Sequence, residues 1–396
     1  MNPSLLVVAG EASGDHHGAL LLSELRRLCP DLDCYAAGGP ELARSGARIV
    51  VPMDRLNVMG FFEVASRISG VVSSYRTIIE TVQKNRIRTA ILIDFPDFNL
   101  ILARKLKRMG VRIFYYVSPQ LWAWRKGRVH SIRRLVDHMF VIFPFEEDFY
   151  RLHGVPVTYA GHPLLDSVFP SRAEKSLVRE EFRVGPSSPV IALAPGSRKG
   201  EVSRLYPRMI EAFLILRKTL PGLRALVPEA GSVPEETYAG IESRAGLPDS
   251  TLVRVRGRFR EVMGAADCAL VASGTATLET GLVGTPMVVV YAMHGGTYQI
   301  ARLLIKVPAI GMVNLVSGRH VVPELIQNDA TPERMAEESL RILVDEKRAE
   351  EMRKDLENLW TLLGSNGASA RIAKKIIEMA GFHCGNSPAS SSPTLP

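Results

Sequence analysis

The sequence is poor in cysteine. Its 396 residues hold four, Cys29, Cys34, Cys268 and Cys384, and none stands in a Cys-x-x-Cys pair or in zinc-finger spacing with histidine. A disulfide framework and structural zinc are therefore not expected, and a reducing compartment fits. Long apolar runs are lacking too. No window supplies the roughly 20 apolar residues of a membrane span. The first run, Leu5–Ala9, follows no basic segment and is too short for a secretory signal. A cytoplasmic chain is expected, with any membrane contact peripheral. Two nucleotide signatures are missing, Gly-x-Gly-x-x-Gly and Gly-x-x-x-x-Gly-Lys-Ser/Thr, which weighs against dinucleotide binding and simple ATP hydrolysis. Metal-ligand spacing is absent as well: Asp31-Leu32-Asp33 reads as an ordinary turn, and His162 and His294 stand alone in loops.

What is present is a globular composition, 46% hydrophobic and 23% charged. The length exceeds what one core usually serves, so two domains are expected. A formal charge of +8 favours anionic partners without choosing among nucleic acid, lipid head groups and phosphorylated metabolites.

Short apolar runs alternate with helical stretches in the first half. Strands are expected at Leu5–Ala9, Cys34–Ala37, Thr89–Ile93, Arg112–Val117 and His138–Ile142. The pattern restarts after Pro163, with strands at Val190–Ala194, Arg224–Val227, Leu252–Val255, Ala269–Ala272 and Met287–Tyr291. Such alternation implies an α/β chain of two Rossmann-like domains with parallel sheets. We draw the first at 1–165 and the second at 166–383, leaving open whether the last helices return to the first. The Ser/Pro-rich end, 384–396, reads as a disordered tail.

Five loops after strands could carry chemistry. Gly10–Asp15 opens a helix, and Glu11, Ser13 and Asp15 can either meet a substrate or cap that helix. In Asp94–Asn99, polar residues stand at a strand's carboxyl end, where α/β sheets bind ligands. Asp97 follows the stiff Pro96 and is the preferred general base, with helix capping as the alternative, while Asp94 and Asn99 stand beside it. Ser118–Arg125 sets Trp122 and Trp124 beside Arg125, Lys126 and Arg128, suited to sugar stacking and phosphate contact or to plain core packing. Pro195–Glu201 offers Ser197 and Arg198 at a helix start, suited to a diphosphate. Ser273, Gly274 and Thr275 open another helix, and Glu279 one turn in could accept from ribose hydroxyls or serve as a helix charge.

A helix is expected over Phe62–Lys84. Phe61, Ala65, Ile68, Val72, Tyr75, Ile79 and Val82 make one apolar face, and Phe62, Val64, Val71 and Ile78 broaden it. Arg67, Arg76, Lys84, Arg86 and Arg88 lie in or just after it. Either the helix is well buried, or Phe61, Phe62, Ile68, Val71 and Val72 form a lipid surface while the cations meet phosphates.

Taken together the loops resemble the lipid-A-disaccharide synthase family. The stretches that carry the resemblance are AGEASGD at 9–15, NVMG at 57–60, DFPDFNL at 94–100, YVSPQLWAWR at 116–125, FPFE at 143–146, GHP at 161–163, PGSR at 195–198 with Glu201-Val202, SGTATLE at 273–279 and Asn314-Leu315. The resemblance implies a GT-B fold, two domains facing across a cleft. It implies inverting transfer of diacylglucosamine from UDP-diacylglucosamine to diacylglucosamine 1-phosphate, without metal or organic cofactor. It places the chain on the cytoplasmic face of the inner membrane, with no nucleic-acid partner and with homo-oligomerisation left open. Carried over residue by residue, Asp97 is the base, Arg198 meets the diphosphate and Glu279 the ribose, while Glu11, Ser13 and Asn314 line the cleft. Competing readings are another GT-B UDP-sugar enzyme, such as a peptidoglycan-type glycosyltransferase or a UDP-N-acetylglucosamine 2-epimerase, and a non-catalytic lipid or nucleic-acid binder.

Overall fold

A computed structural model describes residues 2–56, 64–119, 126–167, 169–170, 174–185, 188–247, 250–293 and 309–384, without the side chains of 64–69 and 126. The chain divides into two compact units, Met1–Asp166 with Gly364–Pro396, and Ser167–Leu363.

The first unit holds a parallel sheet of β1 (Ser4–Ala9), β2 (Asp33–Gly38), β3 (Arg48–Pro52), β4 (Thr89–Ile93), β5 (Arg112–Tyr116), β6 (His138–Val141) and β7 (Val157–Tyr159), in the order β3-β2-β1-β4-β5-β6-β7. Its central strands are continuous apolar runs. Leu5, Leu6, Val8, Ala90, Ile91, Leu92 and Ile93 are fully buried, as residues of a sheet covered on both faces must be. The second unit repeats the plan with β8 (Val190–Ala194), β9 (Arg224–Glu229), β10 (Leu252–Arg256), β11 (Cys268–Ala272), β12 (Met287–Tyr291) and β13 (Glu324–Ile326), ordered β10-β9-β8-β11-β12-β13. Three strands escape the sequence reading: β3, β7 and β13, each at a sheet edge.

The end of the chain departs from the boundary drawn at 383. Helices Pro332–Val344 and Glu346–Leu362 stay in the second unit, but Ala368–Ala380 belongs to the first and packs on the Ala12–Leu28 helix. Asp166, where the chain leaves the first unit, caps the returning helix: its carboxylate accepts from the backbone N–H of Gly367 at 2.6 Å, Ala368 at 3.1 Å and Ser369 at 2.8 Å.

That return also corrects the cysteine reading. Cys29 ends the Ala12–Leu28 helix, Cys384 follows the returning one, and the two form a disulfide. A separation of 355 residues hides the pair from any spacing rule. Cys384→Ser is expected to cost about 2–4 kcal/mol without reductant, a loss that dithiothreitol removes. Equal urea midpoints for the two proteins under oxidising conditions would mean the thiols stay unpaired.

Candidate functional site

In the first unit, β1 and β4 lie side by side, Ala9 opposite Ile93, and the strand order reverses between them. Loops leaving such a pair diverge and open a crevice at the carboxyl ends. The loops expected to carry chemistry, 10–15 and 94–99, are these two. They touch: a Cβ on Gly10 would lie 2.5 Å from the Phe95 ring. Glycine is thus required by close approach. Gly10→Ala is expected to cost about 1–3 kcal/mol, read as a lower urea midpoint, because the ring must be displaced.

Phe95 is driven onto Gly10 by an unusual backbone. Asp94 and Phe95 have φ of 44° and 47°, and Val117 at the end of the neighbouring β5 has φ of 60°. Left-handed geometry is uncommon for such side chains, and strain of this kind collects at functional sites. The turn is held from below. The Asp94 carbonyl accepts from the Tyr115 hydroxyl at 2.5 Å and from Asn99 Nδ2 at 2.8 Å. Burial pushes the Tyr115 hydroxyl's pKa well up, with nearby Asp94 adding to it, so it stays a donor. The result places Pro96 and Asp97 in the first turn of helix Pro96–Arg108. The Asp97 side chain is 74% exposed, and its Oδ1 lies 2.6 Å from Arg128 Nη2. The helix start also favours its negative charge.

The other polar residues of these loops divide. Ser13 is exposed and Glu11, the residue before the first helix, is half-buried. Asp15 is buried and takes a structural role instead of a substrate-facing one. Its carboxylate accepts from Gly39 N at 2.7 Å and Glu41 N at 2.9 Å, fixing the start of helix Pro40–Arg44. Asn99, likewise fully buried, is the brace just described, donating also to Ile93 O at 3.2 Å. Backbone groups satisfy the Asp15 carboxylate and the Asn99 amide nitrogen, while Asn99 Oδ1 is buried with no hydrogen-bond partner among the described residues. Ser118 donates to Glu146 Oε1 at 2.6 Å, and Glu146 Oε2 accepts from Phe143 N at 3.2 Å, so Ser118 and the FPFE turn form one buried polar lock. Beneath the site, burial pushes His17 and His162 down to about 3, and both remain neutral.

The second unit has the same reversal between β8 and β11, with Ala194 opposite Val271. Loops 195–198 and 273–275 leave these strands. Gly196 has φ of 118°, and a Cβ there would lie 2.5 Å from Glu201 Oε2, which accepts from Ser197 N at 3.2 Å. That turn sets Arg198 at the head of helix Lys199–Thr219, half-exposed, with Nη1 at 3.7 Å from Glu201 Oε1. Gly274, with φ of 147°, precedes helix Thr275–Val283, whose first residue is exposed. Two helix starts, one of them with a cation, are groups whose chemistry suits an anion such as a diphosphate. Ser273 donates to Ile310 O at 2.9 Å. Glu279 Oε2 lies 3.2 Å from Arg260 Nε, and that guanidinium covers the Phe169 ring at 4.5 Å.

Asn314 is corrected from a ligand-facing residue to a buried brace. Its Oδ1 accepts from Val321 N at 2.8 Å and Val322 N at 3.0 Å, and its Nδ2 donates to Glu324 Oε1 at 2.8 Å. Glu324 in turn accepts from Ile310 N and Gly311 N, both at 2.9 Å. Glu324, Arg128 as the partner of Asp97 and Arg260 as the partner of Glu279 were not singled out from sequence as site residues. Only Arg128, beside the two tryptophans, carried a signal.

The lipid-surface reading fares unevenly. Phe61 and Phe62, the Ile68 side chain, Trp122, Trp124 and His294 lie outside the described residues. Val71 packs against the first unit's core with Tyr75, beside buried Ile78, Ile79 and Val82, so this part of the stripe faces inward. Val72 is exposed. Among the described residues no helix is long and apolar enough to cross a membrane.

Comparison with known proteins bears on the family and the fold. The family model described as lipid-A-disaccharide synthetase matches residues 5–377. Lipid-A-disaccharide synthase of Myxococcus xanthus is 45% identical over 377 residues, covering 95% of this chain and 97% of that one. Among solved structures, the UDP-GlcNAc 2-epimerase of Neisseria meningitidis bound to UDP-GlcNAc aligns with a TM-score of 0.63 at 11% identity, covering 96% of this chain and 100% of that one. The calicheamicin glycosyltransferase CalG4 aligns with a TM-score of 0.60 at 15% identity, covering 96% and 98%. At those identities the solved structures speak for the GT-B fold alone, whereas the family match spans nearly the whole chain. The chain belongs to the lipid-A-disaccharide synthetase family, glycosyltransferases of lipid A synthesis.

Proposed function

We propose that this enzyme transfers diacylglucosamine from UDP-diacylglucosamine to the 6-hydroxyl of diacylglucosamine 1-phosphate, giving a β-1,6-linked disaccharide 1-phosphate and UDP with inversion at the anomeric carbon. The observation that carries the reading is the pair of matched switch points. An acidic turn stands at β1/β4 and a cationic, helix-start turn at β8/β11.

The acceptor binds on the first unit. Asp97 takes the proton of the attacking hydroxyl, and Arg128 holds the carboxylate in position until the hydroxyl replaces it. Glu11, Ser13 and Asp94 lie around the same crevice and meet the sugar. UDP binds on the second unit. Arg198, Ser197 and the helix start at Gly274 and Thr275 stabilise the charge that grows on the departing diphosphate, which is worth about 3–4 kcal/mol for a well-placed donor. Glu279 accepts from the ribose, and Ser273 fixes the turn. Asp15, Asn99 and Asn314 hold the frame.

The charge distribution supports a membrane-borne, phosphate-bearing acceptor. The first unit carries 24 Lys and Arg against 17 Asp and Glu, the second 25 against 24, so nearly all the net positive charge sits on the first. Anionic lipid at the cytoplasmic face of the inner membrane would attract it. The deciding assay follows UDP release in the presence of detergent micelles. Release that requires both acylated substrates supports the reading. Equal turnover with unacylated UDP-glucosamine, or release without acceptor, refutes it.

A further inference from the structure

The first unit contains a cavity of about 310 Å³ to which the roles given above assign no residue. It lies against β7 and the returning helix Ala368–Ala380, beside the two places where the chain leaves this unit and re-enters it. Its wall is cationic. Arg371 and Lys375 stand one helical turn apart on the same face. Among the described residues neither has an ion pair. Arg371 donates only to main-chain carbonyls: Ala160 at 2.9 and 2.7 Å, Ser365 at 2.7 Å and Asn366 at 2.7 Å. These bonds fix the guanidinium in place and leave its charge uncompensated. Lys375 Nζ donates to Thr158 Oγ1 at 2.6 Å, which uses one of its three protons. Thr158 Oγ1 also lies 2.8 Å from His138 Nε2. The carboxylate at the helix start, Asp166, is taken up by three backbone N–H groups.

Two further features shape this wall. Gly161 and Gly364, with φ of 99° and 87°, have no side chains where a Cβ would intrude. At Gly161 it would lie 2.8 Å from Arg371 Nη2, and at Gly364 3.1 Å from the Tyr159 hydroxyl. Tyr159 lines the cavity, and its hydroxyl is buried with no hydrogen-bond partner among the described residues. A buried donor without a partner is costly, and a ligand oxygen would satisfy it.

We propose that this cavity binds a phosphomonoester dianion. Two fixed cations match its two charges, and the ammonium and hydroxyl groups match its acceptor-only oxygens. The volume exceeds a bare phosphate and leaves space for a sugar-sized group, at the lower end of small-molecule sites. The dianion is either a free sugar phosphate or the 1-phosphate of the acceptor.

Calorimetric titration of the full chain with inorganic phosphate and with glucosamine 1-phosphate, at constant ionic strength, tests the site. Lys375→Met is expected to weaken binding by about tenfold, the loss of one charge-assisted contact, and Tyr159→Phe by a smaller factor. Arg198→Met removes phosphate bound at the diphosphate turn, and the Lys375-dependent binding persists in it. Unaltered affinity in both Lys375→Met and Tyr159→Phe, or no phosphate binding to the parent chain, overturns the proposal. The source is read separately and rests on the proposed reaction. Glucosamine 1-phosphate that competes with the acceptor marks the acceptor's own phosphate, and inhibition or activation that is not competitive marks a separate effector. Binding and its Lys375 dependence stand whatever the reaction proves to be.

Discussion

Asp97→Asn is expected to lower kcat by about a thousandfold, in the middle of the range for loss of a general base. That is about 4 kcal/mol of barrier. Asparagine keeps the shape of the side chain, and its carbonyl oxygen can still accept from Arg128. What it loses is the proton affinity that draws the hydroxyl proton away as the oxygen attacks. With its side chain 74% exposed, Asp97 contributes little to folding, and the variant should unfold within about 0.5 kcal/mol of the parent. UDP affinity should not change, because the diphosphate turn belongs to the other unit's sheet. The measurement is therefore threefold: initial rate of UDP release, UDP titration and urea unfolding. Near-normal turnover would remove Asp97 from the role, and joint loss of turnover and UDP binding would point to a structural defect.

The reason Asp97 stands out in the sequence is the reason the fold does. Central strands of a parallel sheet are buried on both faces, so Ala90–Ile93 and Val190–Ala194 are uninterrupted apolar runs that announce themselves. Among the edge strands only β10, Leu252–Arg256, does so. Val157–Tyr159 is half-buried throughout and Glu324–Ile326 has one buried residue between two half-buried ones, so neither shows a run or an alternation long enough to read. Polar loops after central strands are legible for the same reason as the strands themselves. The roles of their residues are not. Asp15 and Asp97 stand alike near helix starts in the sequence, yet one is buried under backbone N–H groups and the other reaches solvent. The difference lies in the neighbouring helix Pro40–Arg44, whose N-terminus needs a cap that its own residues do not supply. Left-handed turns at Phe95 and Val117 have no residue-type signal at all, and only Gly10, kept bare under the Phe95 ring, hints at one of them. The return of Ala368–Ala380 and the Cys29–Cys384 pair are long-range facts, set by packing and not by local pattern.

Asn314→Ala is expected to destabilise the second unit by about 3 kcal/mol, adding lost bonds to buried donors and a side-chain-sized void. Asn314 is 1% exposed and ties the segment at Val321–Val322 to the Glu324 carboxylate. Alanine leaves the N–H groups of Val321 and Val322 without that acceptor in a buried place. It also strips one donor from Glu324, which is what holds the Ile310–Gly311 backbone and, through Ile310 O, the Ser273 hydroxyl of the diphosphate turn. Loss of UDP affinity should therefore accompany the loss of stability, although Asn314 itself is walled in. Asn314→Asp separates this account from a direct ligand contact. Aspartate keeps both acceptor bonds but sets a second carboxylate where the amide now donates to Glu324 at 2.8 Å. Like charges that close cannot both ionise cheaply. The Asp variant should thus be unstable near neutral pH and recover as the pH falls toward the carboxylate range and one proton is shared. Urea unfolding across pH, with UDP titrations alongside, reads both effects. Parent-like unfolding of Asn314→Ala together with weakened UDP binding would show that the side chain serves the ligand and not the frame.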